Sequence, residues 1–243
     1  MLSSTVRIAC LIFVLFGGNG LASADDLADF NAAVETFSAH NRVAIGYLRT
    51  GNADLASLEI ERMRDAWTRL TEQLSGRRPA LFDGNIHYSE LFTGVSARLV
   101  GADLMLKTGR LEAASQGLNS IRGDLYNLRK SSGVVVLADC VRDANTAMDA
   151  LMVYNDRALD WDNSQTRSAI ASIASGYGAV LDRCDGIANE TIRKAPEFRR
   201  LIDGAKASLT LIPKAIDSRD SDLLHRVLIE LRSYDSLLSF RFG

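Results

Sequence analysis

Proline, cysteine and histidine are each present only three times in the 243 residues, and aromatic side chains make up 7%. So few prolines, with 18 glycines in this length, fit long helices better than an all-β chain with a turn every ten residues or so. Neither sign of charge prevails: 28 Lys and Arg face 30 Asp and Glu, a formal charge of −2. No global field therefore draws the protein to nucleic acid or to an anionic membrane surface. With 47% hydrophobic and 24% charged residues, the composition is that of a globular protein with a sizeable core.

Long apolar runs are also missing, and the one short run stands at the start. Arg7 precedes an apolar stretch from Ile8 to Phe16, and Gly17-Gly18 leads to Ala22-Ser23-Ala24 before Asp25. This is the pattern of a secretory signal peptide over residues 1–24. Its apolar run of about nine residues falls short of the roughly 20 that a membrane-spanning helix needs. Cys10 leaves with the leader, the formal charge moves from −2 to −3 with the loss of Arg7, and no other stretch approaches transmembrane length. The expected product is periplasmic or secreted.

The familiar reaction motifs are absent. C-x-x-C-H, H-E-x-x-H, a Walker loop, G-x-S-x-G, an EF-hand loop and G-x-G-x-x-G do not occur. Nothing in the chain points to catalysis, and no cofactor is expected from motifs.

What the chain does have is an internal repeat. Tyr88, Phe92, Val95, Leu99, Ala102 and Leu106 alternate steps of four and three, and an offset of 110 leads to Phe198, Ile202, Ala205, Leu209, Ile212 and Ile216. Such spacing marks helices that each bury one narrow stripe. The same offset carries Leu111, Ala114, Leu118, Ile121, Leu125 and Leu128 onto Ser221, Leu224, Leu228, Leu231, Asp235 and Leu238, and Arg122 onto Arg232. An offset of 111 relates Phe30, Val34, Phe37, Asn41, Ala44 and Leu48, more loosely, to Val141, Asn145, Met148, Met152, Asn155 and Leu159. It also relates Asn52 to Asn163.

Breakers divide each half into four helical segments: Gly51-Asn52, Arg77 to Asn85 and Thr108-Gly109 in the first, Asp160 to Ser164, Ala195-Pro196 and Asp217 to Ser221 in the second. Asn52 and either Asp83 or Asn85 are expected as N-caps, and Pro213 is expected to kink or interrupt its helix. The chain is expected to be all-α: two tandem up-down-up-down four-helix bundles, residues 25–132 and 133–243, joined at Ser131-Ser132-Gly133.

Cys140 and Cys184 both lie on apolar stripes and are equidistant from Asp162, inside a predicted turn. An antiparallel hairpin brings them to one height, so a disulfide is expected, and export allows it to persist. His40 and Met63 face one another by the same reflection through Gly51-Asn52. His225 stands near the level of Met148 and Met152. Each His–Met set reads either as a copper or haem site or as ordinary core packing. Asn41 and Asp235 interrupt buried stripes, and Arg122 and Arg232 recur at matching repeat positions. They read as internal hydrogen bonding and closure of the bundle end, or as a cation site at Asp235 and an anion clamp at the arginines.

In helix number and spacing over residues 25–243, each half resembles the exported four-helix bundles of the cytochrome c-prime and soluble b-type cytochrome class. In cytochromes c-prime the last helix bears the haem-attachment motif; the matching stretches here read Ile121-Arg122-Gly123-Asp124-Leu125-Tyr126 and Leu231-Arg232-Ser233-Tyr234-Asp235-Ser236. The resemblance implies a fold and a compartment, and no haem ligand carries over by that route. Two functions are expected in turn. The first is an exported, non-catalytic helical-bundle protein that binds a partner protein or a small ligand. The alternative is a periplasmic haem- or copper-binding protein for electron transfer or metal handling.

Overall fold

A computed structural model describes residues 19–74, 78–155 and 158–243, with side chains described from Asp25 onward. The leader expected over residues 1–24 lies outside this set, apart from the backbone of 19–24. The described residues are helical, with no strand among them. In chain order the helices are α1 (Asn19–Arg49), α2 (Ala53–Gln73), α3 (Ile86–Lys107), α4 (Leu111–Ser131) and α5 (Leu137–Met152). They continue with α6 (Ser164–Ile187), α7 (Glu190–Lys194), α8 (Pro196–Leu209), α9 (Leu211–Ser218) and α10 (Ser221–Phe242).

Helix starts follow the polar caps. The side chains of Asn52, Asn85, Asn163 and Asp220 accept from the free backbone N–H groups of Leu55, His87, Gln165 and Leu223. Ahead of α3 the cap is Asn85, while Asp83 closes the short 3-10 turn Ala80–Phe82 and pairs with Arg78 at 2.6 Å. Several helices end at a left-handed residue. Gly109 (φ 72°) ends α3 while Arg110 N–H bonds back to the Met105 carbonyl. Its repeat partner Arg219 does the same after α9 at φ 54°, with Asp220 N–H on the Ala215 carbonyl.

Pro213 has no N–H to give to the Leu209 carbonyl, and the expected interruption is found there: α8 ends at Leu209 and α9 begins at Leu211. The second half also holds α7, a separate short helix between the end of α6 and the Ala195-Pro196 breaker. Asn189 caps it, so local hydrogen bonding suffices for one turn.

Buried apolar side chains form two clusters. α1, α2, α3, α4 and the 3-10 turn build the first, around Phe30, Phe37, Met63 and Leu118. Helices α5, α6, α8, α9 and α10 build the second, around Met148, Tyr177, Phe198 and Leu228. In the first, α1 packs on α2 and α4, and α3 on α2 and α4; in the second, α5 packs on α6 and α10, and α8 on both α6 and α10. Cys140 of α5 and Cys184 of α6 are disulfide-bonded across their hairpin, Cα to Cα 5.4 Å.

Polar links join the two sets. Arg129 of α4 grips Asp139 of α5 with two hydrogen bonds, 2.7 and 2.5 Å, both side chains largely buried. The Tyr126 hydroxyl donates to Asp143 at 3.1 Å, and Arg42 of α1 donates to the Gly243 carbonyl at 2.8 Å. These links hold α1 and α4 beside α5 and α10, where the candidate site lies.

Candidate functional site

Between α1, α4, α5 and α10 opens a cleft of about 280 Å³. α1 lines it with Arg42, Ile45, Gly46 and Arg49, steps of three, four and seven that one helical face presents. α10 lines it with Arg232, Asp235, Ser236, Ser239 and Phe240; α5 adds Asn145 and Asp149, and α4 adds Arg122. At Gly46 a β-carbon would stand 3.4 Å from the Phe240 ring, an ordinary contact distance, which puts α1 and α10 within van der Waals reach of one another here.

The cleft is rich in guanidinium groups. Arg42 is spoken for, by Glu35 at 2.7 Å and by the Gly243 carbonyl. Arg122 has one hydrogen bond, a long one of 3.5 Å to the Ser239 hydroxyl, and no carboxylate within ion-pair distance among the described residues. Burial, and then the positive charges of Arg42, Arg142 and Arg49, push its pKa down to about 10. It stays charged at neutral pH and is surrounded by like charge. That is the electrostatic condition an anion relieves.

The opposite wall is acidic. Arg232 donates to Asp149 at 2.5 Å and to Asp235 at 3.2 Å, and Asn145 donates to Asp235 at 2.9 Å. Asp235 is 1% exposed. Burial raises its pKa to about 6, against the pull of Asn145 and Arg232 and with a push from Asp149. The Tyr177 hydroxyl of α6 is buried with no partner among the described residues; burial first, then the charge of Asp235, raises its pKa.

This sets a pH dependence. The folded protein holds the Asp235 proton up to about pH 6, whereas an unfolded aspartate releases it near 3.9. The folded state therefore binds more protons between those values. The contribution of Asp235 to stability is greatest below the unfolded value and is lost as pH rises through about 6. Urea unfolding of the native protein and of Asp235→Asn, compared at about pH 4 and 7.5, is expected to show the native protein losing on the order of 3 kcal/mol relative to the variant. Parallel profiles would refute this.

The other residues singled out by sequence lie elsewhere. Asn41 is buried inside the first cluster, donating to the Leu118 carbonyl of α4 at 3.2 Å. His40 turns its Nδ1 to Glu59, one turn before Met63 on α2, at 2.7 Å, and Arg62 holds the other Glu59 oxygen at 2.6 Å. Met63 is fully buried in the apolar core. The pairs Asn145–Asp235 and Asp149–Arg232 set an antiparallel register that puts His225 level with residue 155. That is about 10 Å along the axis from the level of Met148. His225 is exposed, Met148 is fully buried and Met152 packs at the edge of the second cluster. Among the described residues no three His, Cys, Asp or Glu side chains converge as a metal cage.

The structure thus brings together Arg122, Arg232 and Asp235 from the sequence-derived candidates and adds Arg42, Arg49, Asn145 and Asp149. A signal for the α1 arginines was present, a seven-residue spacing across Gly46 that places both on one face. Compared with known protein families, curated proteins and solved structures, the chain matches none.

Proposed function

We propose that the protein is an exported, non-catalytic binding protein of two tandem up-down-up-down four-helix bundles behind a cleaved signal peptide, and that the arginine cleft between them holds a small anionic ligand. The two apolar clusters and the 110-residue repeat support the tandem arrangement. The Cys140–Cys184 disulfide supports export, since such bonds persist in oxidising compartments. No described helix is long and apolar enough to cross a membrane.

One observation carries the ligand reading: Arg122 is half-buried in the cleft wall beside three other arginines, and no carboxylate is paired with it among the described residues. A guanidinium in that state offers its planar donor fork to a carboxylate, phosphate or sulfate. Leaving it unsatisfied costs stability, so it is a feature that packing alone does not favour.

Calorimetric titration of the exported protein with inorganic phosphate, sulfate and acetate at low ionic strength tests this. Binding of at least one anion is expected, weakening with salt, and Arg122→Gln is expected to weaken it at least tenfold. The same variant is expected to melt no lower than the native protein, because like-charge repulsion is removed. Absence of binding by all three anions, or unchanged affinity in Arg122→Gln, would overturn the proposal.

A further inference from the structure

The cleft is not uniformly positive, and its two walls differ in sign. On the α1 and α4 wall, Glu35 answers Arg42, which leaves Arg49 and Arg122 without a carboxylate among the described residues. On the α5 and α10 wall a single cation, Arg232, is shared by two carboxylates, Asp149 and Asp235. That wall keeps one negative charge in excess.

The acidic wall is also not something the bundle needs. Asp235 occupies the repeat position that Leu125 fills in the first half, and Asn145 the position that Val34 fills. Leu125 and Val34 are both buried in the first apolar cluster. A sister bundle thus closes the same helix pair with two aliphatic side chains. Only in the second half does the pair become Asn145 and Asp235, and there both line the cleft.

From this polarity we infer that the ligand is zwitterionic: a small amino-carboxylate whose carboxylate meets Arg122 and Arg49 and whose ammonium meets Asp149 and Asp235. This rests on the anion reading above and narrows it. The hydroxyls of Ser236 and Ser239 line the same cleft and can hydrogen-bond the middle of such a ligand. A volume of about 280 Å³ holds roughly nine water-sized groups, the size of a short amino acid. A ligand with both charges satisfies both walls at once, whereas a plain anion meets carboxylates at one end.

The probe is a series of ω-aminocarboxylates of two to six carbons, each titrated against the carboxylate that lacks the amine. At one chain length the amino-carboxylate is expected to bind at least tenfold more tightly than its parent. Asp149→Asn is expected to abolish that advantage while leaving the parent acid bound as well or better, because Arg232 loses one of its carboxylates. The Asp149 side chain is 69% exposed, so the variant folds. If carboxylates bind and the amine adds nothing at any length, the zwitterion inference fails and the anion reading stands. If neither class binds, both fail. A loss in Asp149→Asn shared equally by the two classes would also overturn the inference.

Discussion

Replacing Cys140 and Cys184 together by alanine is expected to lower stability by about 4 kcal/mol, the chain-entropy figure for a closed loop of this length. The bond spans a sequence separation of 44 and ties α5 to α6. Both sulfurs are buried, so the alanine pair also leaves unfilled volume. The loss falls on the second cluster, since neither helix contributes to the first. Urea unfolding measures the total. Native-state hydrogen exchange locates it: amides of α5, α6, α8 and α10 are expected to lose protection while those of α1 to α4 keep theirs. A change of under about 1 kcal/mol would show that the reduced hairpin is already constrained by its packing.

That hairpin was legible from the sequence because two buried cysteines equidistant from a turn constrain a register. The apolar stripes were legible for a similar reason: a buried helical face leaves a period, and Tyr88, Val95, Leu99 and Ala102 are all buried as that period requires. Even the break near Pro213 and the caps at Asn52 and Asn85 followed from local chemistry.

The cleft was legible only in part. Asp235, Arg122 and Arg232 stood out because they break or repeat within a stripe. Arg42, Arg49 and Asp149 do not, because a contact between two halves involves a few side chains on faces that periodicity assigns to solvent. The His40 partner was misplaced by one turn for a related reason. Reflection through a turn fixes helix level only to about one turn, and a glutamate stem such as that of Glu59 spans the difference.

Buried Asp235 and the half-buried Asn145 beside it lead to the other large effect. The double variant Asp235→Leu with Asn145→Val restores the residues that the first half carries at the same repeat positions, Leu125 and Val34. Fully burying a leucine contributes about 1.5–3 kcal/mol, and a desolvated carboxylate with a pKa near 6 is removed at the same time. Arg232 keeps Asp149 as its partner. Exchanging a buried polar set for packed apolar groups is commonly neutral or stabilising by about 1–4 kcal/mol. The double variant is therefore expected to be more stable than the native protein at pH 7, by roughly 2–4 kcal/mol in urea unfolding. Asp235→Leu alone is expected to gain less, because the half-buried Asn145 amide loses its acceptor. The variant is also expected to lose the preference for amino-carboxylates over carboxylates. Greater stability with weaker discrimination is the signature of a binding residue held against the needs of the core. A double variant that is less stable than the native protein would instead make Asn145 and Asp235 a structural requirement of the second half.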